Sequence, residues 1–450
     1  LGAETIAAIA TPPGRGAIAI VRLSGPDARA VGARVFRARR PLADRRATFG
    51  RVVDANGATI DEGLALFFAA PRSYTGEDVL ELHVHGSTVV ARDVLLACFA
   101  AGARQAQAGE FTRRAFLAGK LDLSQAEAVA DLIEAEHRSA ARAAAAQLAG
   151  GLAREAERLR GELERILEEL AAAIDFPDEV ETPAPAALSA RLDPVRRALA
   201  ALLATAEAGR LVREGVSVAI VGPPNAGKSS LLNALLGAER ALVSEIAGTT
   251  RDTIEETLAL DGIVARVIDT AGLRETGEQL EAAGIARAER ALDEARIALV
   301  VIDGSAPLSR EAREVLRRTR GRTRLVFFNK ADLGEAGYRA RESAERDALA
   351  GSAFDPVAVG ALRRGLSLVA LDGHAVDVQR PHLANARQAD AIAQAERAVA
   401  FALETLARGE PQDLIAGDLL NACAALAELS GRDAREELLT RIFARFCIGK

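Results

Sequence analysis

Several things are scarce in this 450-residue chain, and each scarcity narrows its class. Cysteine occurs three times, as Cys98, Cys423 and Cys447. Such wide spacing makes neither a disulfide framework nor a zinc motif and points to a reducing compartment. Methionine and tryptophan are both absent, for which the sequence offers no physical reason, and Leu1 is not expected to be a translation start. The opening residues lack a basic segment followed by an apolar run, so no signal peptide is expected. No uninterrupted apolar stretch is long enough to span a bilayer. A cytoplasmic protein with no membrane association is the expectation. Excess positive charge is also missing: the net charge is -6. Binding to a polyanion would therefore need a local patch. Arg29, Arg34, Arg37, Arg39, Arg40, Arg45 and Arg46, opposed by Asp44, form one such cluster. A solvated surface is the favoured reading of it.

What is present is enough for several cores. Hydrophobic residues make up 49% of the chain and charged residues 27%, which excludes disorder and suits two or three domains. Up to about Ala118, short apolar runs such as Ala17-Ile-Ala-Ile-Val21 and Leu64-Ala-Leu-Phe-Phe68 alternate with turn signals, which reads as an α+β domain. From Gly119 the texture turns to Ala, Leu, Glu and Arg, with Ser124-Gln-Ala-Glu127 as a capping box. Phe176-Pro177 stops this helical stretch, Pro183 and Pro185 fall in a connection, and Leu188 to Arg213 is helical again. Between Gly215 and Asp372 apolar strands alternate with helical stretches, predicting a mostly parallel sheet covered by helices. Helical texture then returns to the end. The expected architecture is multidomain α/β and α: residues 1–118, 119–214, 215–372 and 373–450, with the α/β domain inserted into a discontinuous helical one.

The inserted domain carries the chemistry. The strand ending at Val221 runs into Gly222-Pro-Pro-Asn-Ala-Gly-Lys228-Ser229, a P-loop pattern in strand–loop–helix context. Glycines let backbone N–H groups close around phosphates, and the helix N-terminus adds partial positive charge. Lys228 is suited to the β/γ-phosphates and Ser229 to Mg²⁺. Asp269-Thr-Ala-Gly272 follows a second strand; Asp269 can hold Mg²⁺ through its water shell and the Gly272 amide can meet the γ-phosphate. Asn329-Lys-Ala-Asp332 follows a third. The Asp332 carboxylate can accept two hydrogens from guanine, which adenine does not offer, so GTP is favoured over ATP. Taken alone, Asp332 could equally cap a helix. Gly248-Thr-Thr-Arg-Asp252 lies between these motifs, where a Thr can complete the Mg²⁺ shell. Leu273 stands where Ras-like enzymes hold a water-positioning Gln. Glu275, Glu278 and Glu281 follow, and sequence physics does not choose among them.

With these motifs assembled, the chain resembles the MnmE (TrmE) family of tRNA wobble-uridine modification GTPases, within the TrmE-Era-EngA-YihA-Septin-like superfamily. The marks run along its whole length: Ala10-Thr-Pro-Pro-Gly-Arg-Gly16, Thr75-Gly-Glu-Asp78, Gly109-Glu-Phe-Thr112, Lys120-Leu-Asp-Leu-Ser-Gln-Ala-Glu127, Ile174-Asp-Phe-Pro-Asp178 and the terminal Phe446-Cys-Ile-Gly-Lys450. The resemblance implies an N-terminal folate-binding and dimerising domain, a discontinuous helical domain and an inserted G domain. It implies nucleotide contacts from Asn225, Ala226, Gly227, Lys228, Ser229 and Ser230. Others come from Ser244, Glu245, Ile246, Ala247, Gly248, Thr249 and Thr250, from Asp269, Thr270, Ala271 and Gly272, and from Asn329, Lys330 and Asp332. By the same resemblance Mg²⁺ is held by Ser229, Thr250 and Asp269. Potassium, in place of an arginine finger, is held by Asn225, Ser244, Ile246 and Thr249, and Glu281 orients the attacking water.

A tetrahydrofolate derivative (5,10-methylene- or 5-formyl-tetrahydrofolate) is the implied one-carbon donor, with Arg22, Glu81, Lys120 and Lys450 at matching positions. Cys447 matches a cysteine linked to the modification chemistry. The guanine-backing Ser-Ala motif is expected near Val359-Gly-Ala361, with Gly360 where Ser belongs, and Ala361 offering its amide to guanine. The implied assembly is a homodimer working with MnmG (GidA), an FAD-dependent protein, on tRNA. The alternative is a regulatory GTPase switch without modification chemistry of its own.

Overall fold

A computed structural model describes residues 4–135, 137–237, 256–260, 263–268, 290–334, 348–371, 382–432 and 436–450. The chain divides into two compact units, Leu1–Glu134 with Gln147–Arg197 and Ala391–Lys450, and Ala135–Ala146 with Ala198–Asp390.

The first unit holds a seven-stranded sheet: β1 (Ile6–Ile9), β2 (Ile18–Ser24), β3 (Phe36–Arg37), β4 (Ala47–Val53), β5 (Thr59–Phe68), β6 (Val79–His85) and β7 (Arg104–Gln105), in the order β3-β4-β5-β6-β2-β1-β7. Pairing is antiparallel except between β1 and β7. Alternation along the strands puts Val21, Leu23, Leu80 and Leu82 on one face. There they meet Val31 of the helix Ala28–Val35 and Val94 and Cys98 of the helix Thr88–Ala100 in one core. The second layer of this unit is helical. In Gly151–Asp175, Leu152, Ala156, Leu159, Leu163, Ile166 and Leu170 recur every three or four residues and are all buried. That spacing makes one apolar stripe, which packs against the helix Gln412–Ser430. Each fully buried Leu or Ile contributes about 1.5–3 kcal/mol.

The capping box expected at Ser124-Gln-Ala-Glu127 lies two residues earlier. Ahead of the helix Leu123–Glu134, the Asp122 carboxylate accepts from the Gln125 amide at 2.8 Å, and the Asp122 amide donates to Gln125 Oε1 at 3.0 Å. The buried Ser124 hydroxyl instead donates to Leu429 O at 2.9 Å. Both spellings satisfy the box pattern, and burial of Ser124 decides between them. Pro185 likewise opens the helix Pro185–Leu203 rather than lying ahead of it, a position that suits its missing N–H.

The second unit is built on a six-stranded sheet: β8 (Val216–Val221), β9 (Glu256–Ala259), β10 (Val264–Ile268), β11 (Ile297–Asp303), β12 (Arg324–Asn329) and β13 (Leu349–Ala350), ordered β13-β12-β11-β8-β10-β9. All pairs are parallel except β9 with β10. Residues 297–302 of β11 are buried without alternation, as a parallel strand covered on both faces requires. Among the described residues no helix is long and apolar enough to cross a membrane.

Candidate functional site

The nucleotide motifs gather at the C-terminal ends of β8 and β12, where ligands bind in open α/β sheets. β8 ends at Val221 and the chain turns at Gly222, where an added Cβ would lie 2.1 Å from Val301 O. Only glycine lets the loop leave the strand this close to β11. Asn225 and Gly227 both take left-handed backbone conformations, with φ of 59° and 87°. A Cβ on Gly227 would lie 2.3 Å from Asn329 Nδ2. The helix Lys228–Gly237 then begins, its N-terminus facing back into the loop. Ser229 and Ser230 sit exposed on its first turn.

Lys228 Nζ donates to Gly222 O at 2.9 Å and to Pro223 O at 2.8 Å. Burial pushes its pKa below the ordinary lysine value. A partly desolvated ammonium held by neutral carbonyls gains when an anionic phosphate replaces them.

Asn329 ties the two halves of the site together. It is buried; its Nδ2 donates to Ala226 O at 3.0 Å and its Oδ1 accepts from the Ala353 amide at 2.9 Å. Lys330, left-handed at φ 64°, pairs with Asp303 Oδ2 at 2.6 Å. Burial raises the Asp303 pKa, but bonds from Lys330 and Ser305 outweigh it and hold the carboxyl below its ordinary value. Asp332 lies exposed in the short 3₁₀ turn Ala331–Leu333.

Gly360 and Ala361 do not occupy the expected loop. Both lie inside the helix Pro356–Ala370, whose N-cap is Asp355, accepting from the Val357 amide. The loop ahead of that helix carries Ser352-Ala353, and it is the Ala353 amide that Asn329 binds. Amides within a helix are committed to the turn before them, so Gly360 and Ala361 do not form that loop, and Ser352-Ala353 is the Ser-Ala pair that lies ahead of the helix. The cap and its following Pro356 were a readable helix-start signal. Ser244, Glu245, Ile246, Ala247, Gly248, Thr249 and Thr250, together with Asp269, Thr270, Ala271, Gly272 and Glu281, lie outside the described residues.

A second site lies in the first unit. Arg22 of β2 stands opposite Glu81 of β6 in register, and the two pair at 2.8–2.9 Å. The Arg22 guanidinium lies 5.9 Å from the Tyr74 ring and 5.8 Å from the Phe111 ring. His83 Nε2 is 3.2 Å from the second Glu81 oxygen. Tyr74 OH bonds Thr112 Oγ1 at 2.9 Å; burial raises its pKa, outweighing that bond and the Arg22 charge. Arg22, Glu81, Tyr74 and Lys120, with Arg45 and Arg72, line a cavity of about 400 Å³. Lys450 is not on its wall, but its carbonyl accepts from the Phe111 amide at 3.1 Å. The C-terminal tail is thus anchored on Phe111, whose ring lies 5.8 Å from the Arg22 guanidinium. Ile448 bridges to Ala108, and Gly449, at φ 105°, passes so close to Ile9 O that a Cβ would lie 2.3 Å from it. Cys447 is exposed in that tail. Burial pushes Cys98 up to about 12 and Cys423 up to about 11, which removes both as thiolates near neutral pH.

The Thr75-Gly-Glu-Asp78 and Gly109-Glu-Phe-Thr112 segments, given no role from the residues, are tied to each other through Arg114, and Thr112 meets Tyr74 of the cavity. Arg114 binds Glu77 Oε2 and Glu110 Oε1, each at 2.9 Å, and Glu110 also takes Arg104 Nη2 at 2.6 Å. Burial of Glu110 favours its neutral form, yet bonds from Arg104, the Gln107 amide and Arg114 prevail and hold its pKa at about 2.

Comparison with known proteins identifies both units. Residues 5–120 match the family model described as the GTP-binding protein TrmE N-terminus, and residues 123–447 match that of the MnmE helical domain. The chain belongs to the MnmE family. Over 99% of both chains it is 45% identical to the tRNA modification GTPase MnmE of Moorella thermoacetica, and over the full length of both it is 46% identical to that of Symbiobacterium thermophilum. Among solved structures, a GTP-binding protein from Sulfolobus solfataricus in complex with GDP matches 58% of this chain and 76% of its own, at 20% identity and a TM-score of 0.28. MnmE membership spans the whole chain, so the P-loop sheet and the Arg22–Glu81 cavity belong to one family architecture.

Proposed function

We propose that this tRNA modification GTPase hydrolyses GTP in a potassium-dependent reaction. Together with the FAD-dependent protein MnmG (GidA), it would add a carboxymethylaminomethyl or aminomethyl group at C5 of the wobble uridine of certain tRNAs. It would do so as a cytoplasmic homodimer, with a tetrahydrofolate derivative as one-carbon donor. The observation that carries this reading beyond a bare GTPase is the Arg22–Glu81 cavity: a regulatory switch has no need of a second ligand site.

Within the nucleotide site, Lys228 exchanges its two carbonyl acceptors for phosphate oxygens. Asp332 would accept from the guanine edge, with the Ser352-Ala353 loop, fixed by the bond from the Ala353 amide to Asn329, backing the base. The exposed Ser229 hydroxyl at the helix start suits Mg²⁺, with Thr250 and Asp269 as its other proposed ligands. Asn225, exposed on the loop in its left-handed conformation, suits potassium, with Ser244, Ile246 and Thr249 completing the set. A cation there would stabilise charge developing on the phosphates, and Glu281 would orient water.

The cavity also fits a folate. Its aromatic wall at Tyr74 suits a flat ring, the Glu81 carboxylate, held by Arg22, can accept ring N–H groups, and Lys120 suits an anionic ligand. When bound, the folate would supply a one-carbon unit; the residues here would bind and orient it, and Lys450 and Cys447 of the anchored tail are proposed to take part.

The test is reconstitution with MnmG, unmodified tRNA, GTP and 5,10-methylene-tetrahydrofolate, with glycine and ammonium in parallel. The expected product is a C5-modified wobble uridine by nucleoside mass, lost when GTP or folate is omitted. GTP turnover with unmodified tRNA in every arm would favour the switch reading.

A further inference from the structure

The charges around the Arg22–Glu81 cavity are unevenly placed with depth. Inside, Arg22 and Glu81 neutralise each other and are largely buried, with side chains 21% and 14% exposed. At the mouth stand three cations, Arg45, Arg72 and Lys120, all exposed. The acid paired with them is Asp44, 3.3 Å from Arg72, whose side chain is 76% exposed. The positive surplus therefore lies on the rim, not in the depth of the site.

The rim is also built rather than incidental. Arg45 holds a left-handed backbone at φ 56°, a conformation that costs a non-glycine residue free energy. The bridge of Asp44 to Phe67 and the Asp44 side chain hold it there. In the bridge the Arg45 amide donates to Phe67 O at 2.7 Å, and Asp44 Oδ1 accepts from the Ala69 amide at 2.8 Å. The result carries the Arg45 guanidinium 5.5 Å from the Phe68 ring, with one nitrogen bonded to Arg72 O. Stacking and that bond fix the plane of the guanidinium while leaving further N–H donors for an acceptor.

A neutralised interior with a cationic mouth suits a ligand whose flat ring goes in and whose several negative charges stay out. We propose that Arg45 and Arg72, with Lys120, form a subsite for the oligo-γ-glutamyl chain of the folate, so that the protein prefers polyglutamylated over monoglutamyl forms. This rests on the folate reading of the cavity. Each added glutamate brings one more carboxylate, and an exposed charge pair changes affinity about twofold. Three rim cations give roughly five- to tenfold.

The experiment measures binding of 5-formyltetrahydrofolate to the full chain by calorimetry at low salt, as the monoglutamate and the tetraglutamate. The wild type should bind the tetraglutamate five- to tenfold more tightly. The ratio should fall below about twofold in Arg45→Gln/Arg72→Gln and shrink in 0.3 M salt, as screening of exposed charge requires. Equal binding of the two ligands by the wild type overturns the proposal while leaving the folate reading intact. A preference that survives in the double variant also overturns it, since the chain is then read elsewhere. Arg45→Lys, which keeps charge, should retain most of the preference; its loss there would mean that folding rather than charge was disturbed and would refute the assignment. Binding of neither ligand removes the folate reading, and the proposal with it.

Discussion

Asn329 is the residue on which the nucleotide site most depends structurally, and Asn329→Ala measures by how much. The change removes the donor to Ala226 O and the acceptor for the Ala353 amide, both on residues that are themselves buried at 0% and 7% exposure. An unsatisfied buried polar group costs about 1–3 kcal/mol. Two such groups give roughly 2–5 kcal/mol, allowing for partial relaxation. For a urea dependence of about 2 kcal/mol per molar, that moves the nucleotide unit's unfolding midpoint down by roughly 1–2.5 M. Because the same side chain joins the phosphate loop to the Ser352-Ala353 loop, GDP affinity should also drop by more than about tenfold, or 1.4 kcal/mol. Urea denaturation followed by circular dichroism gives the first quantity, and fluorescent GDP titration the second. A midpoint within about 0.3 M of wild type, with GDP binding undiminished, would refute the view that these two hydrogen bonds hold the site together.

Asp332→Asn, at an exposed position, should leave stability within about 0.5 kcal/mol but exchange guanine for xanthine preference, read from competition of GTP and XTP in hydrolysis. Glu110 has its pKa lowered from 4.5 to about 2, so its contribution is complete above the unfolded-state value and is lost as pH falls from about 4.5 towards 2. Glu110→Gln should cost up to about 3 kcal/mol at pH 7 and roughly 2 kcal/mol less at pH 3; an equal cost at both values would exclude the ionised network as the cause. Gly449→Ala, which puts a Cβ against Ile9 O at a left-handed position, should release the C-terminal tail. Faster amide exchange at residues 446–450, with exchange in the second unit unchanged, is the expected signature.

The parts legible in the sequence are those in which local pattern and chemistry coincide. The strand at Val216–Val221 matches its apolar run, and the P-loop follows from Gly222 to Lys228 without ambiguity. Two misplacements have physical causes. Asp122 and Ser124 both begin a capping pattern, and the choice was made by Leu429, far along the chain. The guanine-backing pair was sought by spacing near Gly360, although Asp355-Pro356 marked the helix start and left Ser352-Ala353 as the loop. The rest depended on partners remote in sequence: Arg114 with Glu77, Arg22 with Glu81, Asn329 with Ala226. No periodicity or motif encodes such pairings, so the cavity and its cationic rim emerge only once β2, β6, Arg45, the segment from Phe68 to Tyr74 and Lys120 are brought together.

The central claim is potassium-dependent GTP hydrolysis, and its most direct test is the GTP turnover rate of the purified protein in potassium chloride against sodium chloride at equal ionic strength. The account predicts strong stimulation by potassium, lost in Glu281→Ala. Equal rates in the two salts would contradict it.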